Sequence, residues 1–359
     1  MEAELSVAGP LLAWYDTHRR EMPWRGVGDP YAVWVSETML QQTRVDTVRD
    51  YYPRFMAAFP TVTALAAAEE QTVFKLWEGL GYYRRAANLH RGARQVAERW
   101  GGRVPDTVEE LLTVSGIGEY TAGAIASIAY GRRVPAVDGN VIRVVTRLTG
   151  DDTPLKETAA LRRVKERAAV LVPEDRPGDF NQAMMDLGAT VCVPGTPDCA
   201  ACPLQTLCRA SREGTAEGIP NLPGKKPPRP IDYEVLLILS GGRVLMRCRT
   251  EALLRGLWVY PLEEGRLEPL RLAELTAKRL GTGVPLPEPL GEARHVFTHQ
   301  VWRMRLWLLR VPEGLAAPAG WRFVTAEDMR ALPIPTAMRA AKAEAERAMG
   351  EAASFLRGS

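Results

Sequence analysis

Four of the five cysteines fall within one short stretch, Cys192, Cys199, Cys202 and Cys208, spaced C-x6-C-x2-C-x5-C, while Cys248 stands apart. Four thiolates this close can enclose a tetrahedral zinc or a [4Fe–4S] cluster, and the spacing alone does not separate the two. Buried free thiols or two disulfides are the plainer alternatives. Thiols clustered in a chain without secretory features more often hold metal.

Two carboxyls sit where acid–base chemistry is possible. Glu37 lies in Val33-Trp-Val-Ser-Glu-Thr-Met-Leu-Gln-Gln-Thr-Arg-Val45, a helical pattern whose positions three and four away are Val33, Trp34, Leu40 and Gln41. An acid on so apolar a helix is partly desolvated, which raises its pKa and favours proton donation. The alternative is a solvated glutamate on an amphipathic helix. Asp138 lies in Pro135-Ala-Val-Asp-Gly-Asn140, just ahead of the helical Val141–Leu148. It either caps that helix or presents a carboxylate there. About twenty residues earlier, Val114-Ser-Gly-Ile-Gly-Glu-Tyr-Thr-Ala122 places Gly116 and Gly118 before a helix starting near Tyr120. Bare N–H groups at a helix start suit a phosphate oxygen, although two glycines also serve an ordinary turn. In Trp77-Glu-Gly-Leu-Gly-Tyr-Tyr-Arg-Arg-Ala-Ala-Asn-Leu-His90, adjacent tyrosines and arginines suit base stacking and phosphate contact, or simply a loop entering a helix.

The elements around these residues divide the chain. Of its 359 residues, 46% are hydrophobic and 25% charged, with formal net charge +3. This is an ordinary globular composition for two domains, compatible with a polyanionic partner. No apolar stretch is long enough for a membrane helix, and MEAELSVAGPLLAWYDTHRR lacks the pattern of a secretory signal. An odd cysteine count fits a reducing cytoplasm. Up to about Arg212 the periodicity is helical, with runs at Val33–Val48, Thr63–Trp77, Tyr83–Val96, Val108–Val114 and Ala122–Tyr130. Gly214–Pro230, containing EGIPNLPGKKPPRP, reads as a linker. Beyond it, strands are expected at Tyr233–Leu239 and Arg243–Arg247 around a Gly241–Gly242 turn, at His295–Phe297 and at Val301–Val311. Helices are expected at Leu270–Leu280 and Ala337–Met349. The expected organisation is an all-helical domain over 1–213, a linker over 214–230 and a small α+β domain over 231–359, the two domains enclosing a ligand between them.

Taken together, the first 212 residues resemble the helix-hairpin-helix DNA glycosylases, and most closely the adenine DNA glycosylases of the MutY type. The matching runs occur in family order: Pro23-Trp24-Arg25, SETMLQQT, WEGLGYYRRAANLH, the Gly116-Ile-Gly118 hairpin, VDGNVIRV, Asn181-Gln-Ala-Met-Met-Asp-Leu-Gly188 and the cysteine quartet. The resemblance implies a [4Fe–4S] cluster on Cys192, Cys199, Cys202 and Cys208. It implies that Glu37 protonates adenine and helps activate water, and that Asp138 stays ionised to stabilise an oxocarbenium-like sugar, with Tyr120 and Asn140 orienting the pair. Trp24, Arg25, Leu40 and Gln182 match residues around the adenine, and Gln42 and Tyr82 match residues inserted into the duplex. Strand-cutting relatives carry a lysine where this chain has Tyr120, and a phenol forms no Schiff base. A monofunctional enzyme is therefore expected.

The C-terminal part resembles the Nudix-like domain of the same glycosylases, through Gly256-Leu-Trp-Val-Tyr-Pro261 and Phe297-Thr298-His299. The hydrolytic Nudix signature is absent, and the domain is expected to read 8-oxoguanine. Threonine replaces the family's serine at position 298, keeping the hydroxyl and adding a methyl. The loop from Cys202 to Cys208 holds no Lys or Arg, so charge near it must come from Arg209 or Arg212. The resulting expectation is a cytoplasmic, nucleoid-associated monomer. It removes adenine from duplex DNA opposite 8-oxoguanine, and also opposite guanine, without a membrane partner. The alternatives are an endonuclease III-like glycosylase/lyase for oxidised pyrimidines and a non-catalytic iron–sulfur DNA-binding protein.

Overall fold

The computed structural model describes residues 7–224 and 227–357. The first six residues of the N-terminal stretch and Lys225 and Lys226 of the expected linker lie outside the described residues. No helix among those described is long and apolar enough to cross a membrane. The chain forms two compact units. The first runs to Ala68 and resumes from Arg84 to the linker; the second joins Glu69–Tyr83 to everything after the linker.

The first unit is helical. A core of Leu11, Tyr15, Val141, Val144, Val145, Leu148, Phe180, Ala183, Met184 and Leu187 joins helices Ala8–His18, Gly139–Thr149 and Pro177–Thr190. The expected run Val33–Val48 is two helices, Pro30–Leu40 and Val45–Ala58. The first starts cleanly, with Asp29 accepting from the Tyr31 N–H at 3.0 Å and proline at the opening position. It stops because Arg85, far along the chain, satisfies its terminal carbonyls. Arg85 Nη1 donates to the oxygens of Thr38, Met39 and Gln41 at 2.9, 2.7 and 2.5 Å. Asp138 caps Gly139–Thr149, accepting from the Val141 N–H at 2.8 Å.

Asn181 fastens the extended approach to that cap. Its Oδ1 accepts from the Ala136 N–H at 3.0 Å, and its Nδ2 donates to the Val134 carbonyl at 2.9 Å. Gly123, inside helix Glu119–Ile128, lets the same approach lie close: a Cβ there would stand 2.1 Å from the Pro135 carbonyl oxygen. That neighbour is backbone and cannot swing aside. Gly123→Ala is expected to cost about 1–3 kcal/mol of stability and to displace Asp138. Urea unfolding checks this, and an unchanged midpoint would refute it.

Residues Gly214–Asn221 of the expected linker are anchored rather than free. Arg147 Nε donates to the Ile219 carbonyl at 2.8 Å, the Leu155 N–H donates to Asn221 at 3.0 Å, and Ile219 is buried with Ala210 and Ala216. The composition had concealed this because one apolar side chain and a few carbonyls suffice to hold a short segment.

The second unit is built on a seven-stranded mixed sheet: β1 (Arg229–Ser240), β2 (Arg243–Cys248), β3 (Trp258–Val259), β4 (Leu262–Glu264), β5 (Glu288–Val296), β6 (Gln300–Val311) and β7 (Arg322–Val324). The order is β3-β2-β1-β6-β5, with β4 paired to β1 and β7 to β2. β1 and β6 are parallel, with Val235 opposite Leu306, and β5 and β6 form an antiparallel hairpin. The run Val235-Leu-Leu-Ile-Leu239 is apolar throughout because both faces are covered. Val235, Leu237 and Leu239 join Ala341, Ala345 and Ala348 of helix Arg339–Arg357, while Leu236 and Ile238 join Leu272 of helix Pro269–Leu280. Gly241 and Gly242 turn β1 into β2 with φ of 49° and 73°.

Helix Glu70–Leu76 and the turn to Tyr83 belong to this unit, although the sequence placed them in the helical domain. The reason is a set of polar clasps across 185 or more residues. Gln71 Nε2 donates to the Gly256 carbonyl at 2.9 Å, and Trp258 Nε1 donates to Gln71 Oε1 at 2.9 Å. Lys75 Nζ donates to the Leu332 carbonyl at 3.1 Å, and the Ile334 N–H donates to Glu78 Oε1 at 3.3 Å. Such pairings leave no local pattern.

Candidate active site

A cavity of about 680 Å³ opens in the first unit, and every described residue that lines it belongs to that unit. This is the size range of small-molecule and base pockets. Of the residues singled out in the sequence, Glu37, Asp138, Tyr120, Asn140, Trp24, Arg25, Leu40, Gln42, Gly118 and Gln182 all line it. The expectation that a ligand sits between two domains is not how this cavity is built.

Glu37 reaches it from helix Pro30–Leu40 and is 6% exposed. The Tyr120 hydroxyl donates to Glu37 Oε2 and also lies 3.2 Å from Met185 Sδ. Burial pushes the Glu37 carboxyl up to about 7; the Tyr120 bond and the Arg25 charge pull it down, and the Asp138 charge pushes it further up. The group is thus a proton carrier poised near neutrality. Tyr120 is raised well above its ordinary value, by burial first and by the charges of Glu37 and Asp138, so it stays a neutral donor.

Asp138 accepts from the Val141 N–H and from Asn140 Nδ2, both at 2.8 Å. Asn140 is held in turn by Arg143 Nη2, which donates to its Oδ1 at 2.8 Å and to the Gly188 carbonyl at 2.6 Å. Gly188 permits that approach, since a Cβ there would stand 2.6 Å from the Asn140 Cβ. Burial raises the Asp138 pKa, with the Val141 and Asn140 hydrogen bonds and the Arg143 charge opposing.

Arg25 was expected in the wall, but its partner was not foreseen. Both its terminal nitrogens donate to Asp186, at 2.5 and 2.8 Å, and Arg20 donates to the same carboxylate at 2.8 and 2.5 Å. The one signal the sequence offers for Asp186 is an acid among the apolar residues of Ala183-Met-Met-Asp-Leu187.

Comparison with known proteins shows the family of the chain. Residues 35–168 match the model of the HhH-GPD superfamily of base excision DNA repair proteins, and residues 234–344 match a NUDIX domain. The adenine DNA glycosylase of Mus musculus is 37% identical over 393 residues, covering 92% of this chain and 76% of its own. That of Buchnera aphidicola subsp. Acyrthosiphon pisum is 31% identical, covering 84% of this chain and 86% of its own. The chain belongs to the adenine DNA glycosylases. Among solved structures, a thermostable thymine-DNA glycosylase superposes with a TM-score of 0.53 at 30% identity, over 57% of this chain and 94% of that one.

In this adenine DNA glycosylase the two expected wedges share one backbone peculiarity. Gln42 and Tyr82 adopt left-handed φ of 58° and 47°, which side chains other than glycine adopt at a cost. Gln42 sits in the turn that Arg85 clamps. Tyr82 lies in the second unit, 49% exposed, with its hydroxyl 3.0 Å from Thr298 Oγ1. Phe297, Thr298 and His299 form the tip of the β5–β6 hairpin; of the strand expected at His295–Phe297, His295 and Val296 lie in β5 and Phe297 falls just past its end. The Phe297 N–H closes the turn onto the Gln300 carbonyl at 2.8 Å, and its ring packs edge-on against Trp302. Gly116 does not line the cavity; its φ of 86° and close approach to Asn88, where a Cβ would come within 2.9 Å, require glycine at this turn.

The cysteines of this glycosylase lie between helix Pro177–Thr190 and helix Arg209–Glu213. Burial pushes the Cys202 thiol up to about 11, and the charges of Cys192, Cys208 and Cys199 push it the same way. Four soft donors thus lie within electrostatic reach of one another, and Arg147 Nη1 stands 3.3 Å from Cys192 Sγ. Among the described residues no three His, Cys, Asp or Glu side chains are drawn into ligand geometry. The donor set of four thiols fits an iron–sulfur or zinc centre in chemistry.

Proposed function

We propose that this enzyme hydrolyses the bond between adenine and deoxyribose where adenine lies opposite 8-oxoguanine, and also opposite guanine, and that it does not cut the strand. The observation that carries this reading is the placing of a protonatable Glu37 and the helix-capping Asp138 in the lining of one cavity. A base must leave the stack to reach such a pocket. Glu37 donates its proton to a ring nitrogen of the base as the bond electrons leave with it. The positive charge that develops on the sugar is met by the Asp138 carboxylate, with Asn140 fixing its direction. The Glu37 carboxylate then takes a proton from the water that adds to the sugar, which restores the acid.

Among the described residues no lysine lines the cavity, and Tyr120 is engaged with Glu37, which supports hydrolysis without a Schiff base. The Tyr82–Thr298 contact supports a role for the hairpin tip Phe297–His299 in reading the opposite base. Cys192, Cys199, Cys202 and Cys208 would hold a [4Fe–4S] cluster. When bound, it supplies Fe–S bonds that tie helix Pro177–Thr190 to helix Arg209–Glu213 beside duplex DNA. We place the protein in the cytoplasm on the nucleoid, as a monomer.

The test is single-turnover base release on duplexes with adenine opposite 8-oxoguanine, guanine, cytosine and thymine. Release should be fastest opposite 8-oxoguanine, flat below about pH 7 and falling roughly tenfold per pH unit above it, since only protonated Glu37 is competent. Borohydride should trap no adduct. Equal rates opposite thymine and 8-oxoguanine would overturn the substrate assignment.

A further inference from the structure

We propose that Asp186 is a positioning residue for base release: by gripping Arg20 and Arg25 together, it fixes the Arg25 fork in the cavity wall and keeps that cation from pairing with Glu37. The inference rests on the assignment of Glu37 as the acid. Asp186 is completely buried on helix Pro177–Thr190, one residue from the Met185 sulfur that the Tyr120 hydroxyl touches. Its Oδ1 accepts from Arg20 Nε and Nη2 and from Arg25 Nη2, and its Oδ2 accepts from Arg25 Nη1. Arg25 Nη1 donates further to the Arg20 carbonyl at 3.1 Å, and its guanidinium lies 5.7 Å from the Tyr15 ring centre. One buried anion therefore serves two cations whose side chains are 29% and 14% exposed.

A guanidinium this enclosed needs a carboxylate. Without Asp186, the carboxylates left on the cavity wall are Glu37, Asp138 and Glu119. Pairing with Glu37 would hold that acid ionised and take away its proton. The charged and titratable groups that line the cavity with Glu37 are Tyr120 and Glu119 from helix Glu119–Ile128, Asp138 from the start of helix Gly139–Thr149, and Arg25 and Arg20 from the segment before helix Pro30–Leu40; Tyr120, Asp138 and Arg25 are the ones that act on it. Of these, Arg25 is the cation that already lowers the Glu37 pKa. Asp186 holds the Arg25 guanidinium in its charged form against the opposing effect of burial, and both of its terminal nitrogens donate to that carboxylate.

The test is the pH profile of single-turnover base release by the full-length protein. In Asp186→Asn the alkaline fall should move down by about one pH unit, so that release at pH 8 drops roughly tenfold beyond any loss seen at pH 5.5. In Arg20→Gln, which removes one cation from the shared carboxylate, the fall should move to higher pH. A merely structural Asp186 would lower the rate by one factor at every pH and leave the fall in place, and that result would overturn the proposal. If Asp186→Asn does not fold, Arg20→Gln decides alone: an unmoved or downward-shifted fall refutes it. Glu37→Gln separates the two levels. If that variant still releases base with the native pH fall, the acid assignment itself is wrong. If it is inert and neither other variant moves the fall, only the role of Asp186 is lost.

Discussion

Glu37→Gln is expected to give a protein that is more stable above neutral pH and that releases almost no adenine. Burial pushes the Glu37 carboxyl up to about 7 in the fold, from an ordinary value of 4.5. Between those values the folded state binds more protons than the unfolded chain, so stability falls as pH rises from 4.5 to 7 and is level above. Glutamine has no such charge to bury and still offers an oxygen to the Tyr120 hydroxyl. Its gain should be nil below pH 4.5 and reach roughly 3 kcal/mol above pH 7 as an upper figure. Base release should fall by about 10²–10⁴, the usual share of a positioned general acid. Urea unfolding at pH 4.5 and pH 8, beside single-turnover release, measures both halves. A variant no more stable at pH 8 than at pH 4.5, relative to the native chain, would show that Glu37 is not buried as a strained acid. This stability–activity opposition is what an active-site group held against its solvation preference should produce.

The second large effect separates the two duties of Asp138. Asparagine caps a helix about as well as aspartate, so Asp138→Asn should keep the Val141 bond and hold the melting temperature near the native value. It removes the anion that faces the developing sugar cation, and base release should drop by about 10²–10³. Asp138→Ala removes the cap as well and should cost about 1 kcal/mol more in stability. Thermal melts and single-turnover rates on the pair would distinguish the duties. If Asp138→Asn retained most of the native rate, the residue would be a cap and nothing further.

The contrast between these two carboxyls was partly legible before any fold was known. Glu37 announced itself by its apolar neighbours on one helix, and the direction of its shift follows from that alone. Asp138 announced itself as a cap, but the sense of its shift did not follow. Cap geometry is local, whereas its desolvation comes from the surrounding helices. The helix break after Leu40 was hidden for the same reason: the Arg85 guanidinium that satisfies its carbonyls arrives from a helix more than forty residues away. Tyr82 was visible as a candidate, yet its backbone strain and its hydroxyl contact with Thr298 come from a segment clasped to the second unit by Gln71, Lys75 and Glu78.

What the sequence determined by itself is whatever depends on neighbours along the chain. That includes the acid on its apolar helix, the aspartate ahead of a helix, the gathered cysteines, and the unbroken Val235–Leu239 run that must be covered on both faces. What only the tertiary structure decided is whatever depends on groups that meet across the chain. The Arg20–Asp186–Arg25 clamp joins residues 166 and 161 positions apart. Gly123 and Gly188 are required by backbone and side chain from other elements. Charge and packing act through space over a few ångströms, and a one-dimensional pattern records them only when the partners are also neighbours in sequence.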